Sequence, residues 1–123
     1  MKKTILFVDD EEINLFVLQR RFDPDYNVLT ASCAEDAIKI ISEQKDHLDA
    51  VITDLKMPEK SGLEIVQEMK EDLKGIPCFL LTGYDYNPEI ENAINSGAIS
   101  RLFKKPFNYN EISMVLKEFL IDD

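Results

Sequence analysis

Short runs of consecutive apolar residues alternate along this chain with longer segments in which apolar residues recur every three or four positions. Ile5-Leu6-Phe7-Val8 is continuous rather than alternating, the pattern of a strand covered on both faces. From Ile13 to Phe22, apolar residues stand at 13, 15, 16, 18 and 22, close to helical spacing, and Pro24 and Asp25 end that segment. Tyr26 to Ala31 predicts a second strand. Ser32-Cys33-Ala34-Glu35 has the form of a capping box and predicts a helix with Ala37, Ile38, Ile40 and Ile41 on its apolar face. Ala50-Val51-Ile52-Thr53 is a third strand, ending at Asp54, with Lys56 to Lys60 as a loop. Ser61-Gly62-Leu63-Glu64 is a second capping box, opening a helix through about Leu73 that Gly75 stops. Ile76 to Thr82 predicts a fourth strand. Asn87-Pro88 predicts an N-cap with proline at the first helical position, and that helix ends at Gly97. Ile99 to Lys104 is a weaker fifth strand, and Asn108 with Glu111 caps a last helix to about Leu120.

Five βα units in strict alternation, joined by short connections, predict an α/β fold: a parallel sheet with helices on both faces. The expectation is one domain over residues 1–123, with no output domain after the last helix. A chain of 123 residues with 45% hydrophobic content buries a core without staples.

Charge narrows the function classes. The net charge of −10 repels phosphate backbones and argues against direct nucleic-acid binding. The same surplus suits a cation site built from carboxylates, or simply a solvated acidic surface. Cys33 and Cys78 lack the spacing of zinc or redox pairs, and Cys78 sits in an apolar run, as a buried thiol would. The apolar run near the N-terminus is too short for a secretory signal, and none approaches membrane-spanning length. The expectation is a soluble cytoplasmic protein with no membrane insertion.

The polar residues carry the chemistry. Asp9-Asp10-Glu11-Glu12 follow the first strand, Asp54 the third, Thr82-Gly83 the fourth and Lys105-Pro106 the fifth. Open α/β sheets bind ligands at the carboxyl edge of their strands. Carboxylates gathered there repel each other and need protons, a cation or a lysine to coexist. Mg2+ suits them, because it takes oxygen ligands and keeps several waters. Lys105 adds a second positive charge. Such a site can accept a phosphoryl group, with a carboxylate attacking in line. Asp54, alone at its strand end, is the best nucleophile; Asp9 and Asp10 are better suited to the metal. Thr82 can donate its hydroxyl to a phosphoryl oxygen, and Gly83 allows close backbone approach. Each residue alone has a plainer role: solvated turn, helix cap, strand end, surface lysine. The signal is their conjunction at one edge.

These residues resemble the receiver domain of two-component response regulators. The motifs are Val8-Asp9-Asp10-Glu11, Asp54-Leu55-Lys56-Met57-Pro58 with Gly62, Leu81-Thr82-Gly83 and Lys105-Pro106-Phe107, and the resemblance runs from Ile5 to about Leu120. It implies a flavodoxin-like doubly wound sandwich with strand order 2-1-3-4-5. It implies Asp54 as phosphoacceptor and Mg2+ held by Asp10, Asp54 and the backbone carbonyl of Lys56, with Asp9 helping through water. Lys105 would pair with the phosphoryl group, Thr82 would be the switch hydroxyl, and the Lys105–Pro106 bond would be cis.

The implied partner is a histidine kinase or a histidine phosphotransfer protein, docking on the first helix near Ile13, Leu15 and Phe16. The signal would leave through an altered α4-β5-α5 surface to a downstream protein, or the phosphate would pass onward. The chain would be no enzyme beyond its own aspartyl phosphorylation and dephosphorylation. Tyr84 and Tyr86 stand in the loop after the fourth strand, as partner contacts or as its hydrophobic cap. One departure is Leu102, where the family commonly has an aromatic three residues before the lysine: either Leu102 takes a reduced form of that role, or switching relies on loop and helix shifts. Lys56 either reaches the phosphoryl group and tunes its lifetime or points into solvent. A phosphorylation-independent interaction module of the same fold is the alternative. A flavin carrier is disfavoured by the acidic first loop, and an aspartyl phosphatase by the lack of an Asp-x-Asp pattern there.

Overall fold

The computed structural model describes residues 2–83 and 87–120. Ten elements alternate along the chain: β1 (Lys3–Val8), α1 (Glu12–Phe22), β2 (Tyr26–Ala31), α2 (Ala34–Gln44), β3 (Ala50–Asp54), α3 (Gly62–Glu68), β4 (Cys78–Thr82), α4 (Pro88–Asn95), β5 (Arg101–Lys104) and α5 (Tyr109–Phe119). All strand pairs are parallel, and the sheet order is β2-β1-β3-β4-β5. The flavodoxin-like sandwich and its strand order are therefore as expected.

The continuous apolar runs became the central strands because both faces of those strands are covered. Every residue of β3 and β4 is buried, whereas the edge strands β2 and β5 are only partly so. Alternate side chains point to opposite faces. One face carries Ile5, Phe7, Ile52, Phe79, Leu81 and Phe103, packed with Leu15, Leu18 and Phe22 of α1 and Ile112, Val115 and Leu116 of α5. The other carries Leu6, Val8, Val51 and Leu80, packed with residues of α2, α3 and α4.

Helix starts follow their caps. Ser61 Oγ accepts from the Glu64 N–H while Glu64 Oε1 accepts from the Ser61 N–H, both at 3.0 Å. Asn87 and Asn108 cap α4 and α5 through their side-chain oxygens. The start of α2 differs from expectation by one residue. Its N-cap is Cys33, whose Sγ accepts from the Asp36 N–H, and the Cys33 carbonyl accepts the first helical bond from Ala37. α3 ends at Glu68 rather than near Leu73, and turns lead to Gly75 at φ 82°. β4 starts at Cys78 rather than Ile76, since Pro77 has no N–H to give the ladder.

Candidate metal and phosphoryl site

Register brings the polar strand ends together. Val8 pairs with Thr53, so Asp9 and Asp54 leave the sheet at the same height. Both continue the parity of Ile5-Phe7 and Ile52, which puts them above the face that α1 and α5 cover. Asp54 pairs with Leu81, and Leu81 with Phe103. Lys105 thus stands two residues beyond the level of Asp54, roughly 6 Å up the strand direction. Its long side chain reaches back, and Nζ lies 2.8 Å from Asp54 Oδ2. The Lys105 N–H donates to the Thr82 carbonyl at 2.9 Å, tying the lysine's backbone to the end of β4. The Lys105–Pro106 bond is cis.

One oxygen from each of Asp9, Asp10 and Asp54 lies within 4.8 Å of the others. This all-oxygen, anionic donor set is the chemistry that Mg2+ requires, and spacing of this order leaves room for bound waters. A cleft of about 770 Å³ opens above it, with Asp10, Asp54, Lys56, Thr82, Gly83 and Lys105 in its lining. Asp9 is not among the lining residues and is fully buried. Its Oδ1 accepts from the Glu11 N–H at 2.9 Å and its Oδ2 from Asn14 Nδ2 at 3.2 Å.

The electrostatics follow from this burial. Removal from water pushes the Asp9 carboxyl above its ordinary pKa, and the Asp54 charge adds to that; the bonds from Glu11 and Asn14 and the charge of Lys105 work against it. Burial alone would lower Lys105. The hydrogen bond and charge of Asp54, with the charges of Asp9 and Glu11, outweigh it and raise the lysine, so the ammonium is held charged. Burial pushes the Cys78 thiol up to about 12, which makes it inert packing.

Asp9, Asp10, Asp54, Thr82 and Lys105 thus converge as the sequence led us to expect, and the Lys56 backbone lies against Asp54, its N–H 3.3 Å from Oδ1. A close approach within the chain itself falls at Gly62, while Gly83 lines the cleft. A Cβ at Gly62 would lie 2.3 Å from the Asp54 carbonyl oxygen, whereas one at Gly83 would meet nothing within 4 Å. Leu15 is buried in the core, so Ile13 and Phe16 are exposed on α1 without it. Leu102 and its neighbour Phe103 face opposite sides of the sheet. Phe103 is buried, stacked on Phe79 with centroids 5.5 Å apart, while Leu102 packs among the aliphatic residues beside α4. Tyr84 and Tyr86 lie outside the described residues. Asn14 was missed. Its only sequence signal is a short polar side chain in the first turn after an acid run, which is too common to single out.

The sequence pattern of the response regulator receiver domain matches residues 5–117. Among curated proteins, the response regulator SaeR of Staphylococcus epidermidis is 35% identical over 109 residues, which is 88% of this chain and 46% of that protein. The alkaline phosphatase synthesis transcriptional regulatory protein PhoP of Bacillus subtilis is 31% identical over 121 residues, 98% of this chain and 49% of PhoP. The chain therefore spans about half the length of these curated relatives. A response regulator receiver domain protein from Clostridium thermocellum superposes with a TM-score of 0.83 at 31% identity, covering 94% of this chain and 92% of that one. Site, topology and relatives agree, and the chain belongs to the receiver domain family of two-component response regulators.

Proposed function

We propose that the chain accepts a phosphoryl group on Asp54 from a phosphohistidine-bearing kinase or phosphotransfer protein in the cytoplasm. Asp10, Asp54 and the backbone carbonyl of Lys56 would hold Mg2+, with Asp9 acting through a water. The observation that carries this reading is the convergence of three carboxylates within 4.8 Å, with an ammonium 2.8 Å from one of them. Bound there, Mg2+ supplies charge neutralisation for the carboxylates and the incoming phosphoryl oxygens.

The chain's own groups divide the remaining work. An Asp54 oxygen forms the new O–P bond as the donor's P–N bond breaks, and that electron pair stays on the imidazole nitrogen. Lys105 balances charge on the transferred group from the side opposite Asp10. Thr82, buried at the end of β4, donates its hydroxyl to a phosphoryl oxygen. Attack of water on phosphorus later releases inorganic phosphate and restores the carboxylate. The protein turns over no substrate other than its own aspartate. The added charge of about −1.5 to −2 biases the surface of α4, β5 and α5 between two packings, and a downstream protein reads the change. Residues 1–123 would act as one receiver unit. With Leu102 in place of an aromatic, the switch relies on loop and helix shifts rather than on a turning ring.

The experiment is incubation with Mg2+ and acetyl phosphate, read by intact mass on the native protein. Wild type should gain one phosphoryl group and Asp54→Asn none. A modification that persists in Asp54→Asn refutes the assignment. No uptake by wild type favours the phosphorylation-independent interaction module.

A further inference from the structure

We propose that Asn14 is a positioning residue for the cation site: its side-chain amide fixes the orientation of Asp9 and so the lone pairs that Asp9 offers to the ion's hydration shell. The inference rests on the Mg2+ reading above and goes beyond its ligand set.

Asp9 is completely buried, and each of its oxygens accepts one hydrogen bond, from the Glu11 N–H and from Asn14 Nδ2. Both donors belong to the start of α1. Two donors on two oxygens fix the plane of the carboxylate as well as its position. Each oxygen still has a second lone pair, which is what a metal-bound water needs. An ionised carboxylate only accepts, so the amide edge facing it must be the NH2 group.

The energetics of α1 do not explain an asparagine here. Asn is a weak helix former away from caps. The N-cap of this helix is Glu11, which makes no side-chain cap bond, and Asn14 lies three residues inside it. Its neighbours on either side, Ile13 and Leu15, are apolar. What Asn14 does is reach the buried acid. Groups that hold a metal's ligands by hydrogen bonds commonly matter to affinity by about 10–100-fold, and Asn14, which acts through Asp9 and its water, belongs at or below the low end of that range.

The test is calorimetric titration of the unphosphorylated chain with Mg2+ and, separately, Ca2+, in wild type, Asn14→Leu and Asn14→Ser. Mg2+ demands near-ideal octahedral geometry and Ca2+ does not. A misoriented Asp9 should therefore weaken Mg2+ by roughly tenfold and Ca2+ by less, so the Mg2+/Ca2+ preference falls. Thermal midpoints recorded with chelator identify variants that are simply misfolded, and Asn14→Ser serves if Asn14→Leu is one of them. Mg2+ affinity within twofold of wild type in a folded variant overturns the role of Asn14 alone. Equal losses of Mg2+ and Ca2+ affinity with a lowered midpoint overturn it in favour of a general packing role. Wild-type protein that takes up no Mg2+ removes the cation site, and this role with it.

Discussion

Asp9 and Asp10 are adjacent in the chain and opposite in environment. Asp9 continues the inward parity of Ile5 and Phe7, is fully buried, and is held by two donors from the start of α1. Asp10 turns outward, is exposed, and lines the cleft. Asp54 resembles Asp9 in burial, at 3% exposure, yet it reaches the cleft. The site thus has a buried, hydrogen-bonded floor and an exposed rim. The floor carries fixed charge that its own chain has already oriented. The rim carries an acid that faces the cleft directly. The difference teaches that one strand's alternation, extended two residues past the sheet, sorts two identical side chains into separate jobs.

The floor should be the more fragile half. Gly62→Ala places a methyl group against the Asp54 carbonyl and Thr53, so it should cost about 1–3 kcal/mol and displace the acceptor. Gly83→Ala on the rim should stay within about 0.5 kcal/mol. Denaturant unfolding of the pair checks this; equal losses would erase the distinction between floor and rim.

The two acids should differ next. Asp9 has its pKa raised by burial and by Asp54, so its folded state binds a proton more tightly than its unfolded state. Its contribution to stability is therefore greatest at low pH and is lost as pH rises through the raised value. Without divalent ions, Asp9→Asn should be more stable than wild type at neutral pH. That advantage should shrink as pH falls toward the ordinary carboxylate range. Asp10→Asn, at an exposed acid, relieves repulsion within the cluster but no burial, so at neutral pH it should stabilise less than Asp9→Asn. Thermal unfolding in chelator across pH measures both, and an Asp10→Asn stabilised as much as Asp9→Asn would break the contrast.

The smallest effect on stability is expected at Lys56, whose side chain is exposed on the rim. Lys56→Ala should leave the midpoint unchanged within about 0.5 kcal/mol and alter the rate of phosphate loss. Identical dephosphorylation rates would show that this lysine serves the site through its backbone only.

Much of this was legible without coordinates, because local chemistry is written locally. The continuous runs at Ile5–Val8 and Ala50–Thr53 announced doubly covered strands, and Ser61-x-x-Glu64, Asn87-Pro88 and Asn108 announced helix starts that formed as read. The acids, threonine and lysine were legible as strand-end residues. Less legible were features that depend on what lies opposite. Ser32 offered the better cap, yet the helix began after Cys33. Gly62 carried no signal that its missing Cβ makes room for a carbonyl eight residues earlier in the chain.

The sequence by itself determined the elements, their alternation and the residue types at each strand's exit, since propensity, capping and apolar periodicity act over a few residues. Only the tertiary structure decided heights and faces. Register set Asp9 level with Asp54 and left Lys105 two residues above, to reach back. Packing sent Phe103 to one side of the sheet and Leu102 to the other, and brought Asn14 against Asp9. Those outcomes depend on contacts between segments far apart in the chain, and a one-residue slip in any strand pairing would have reversed them.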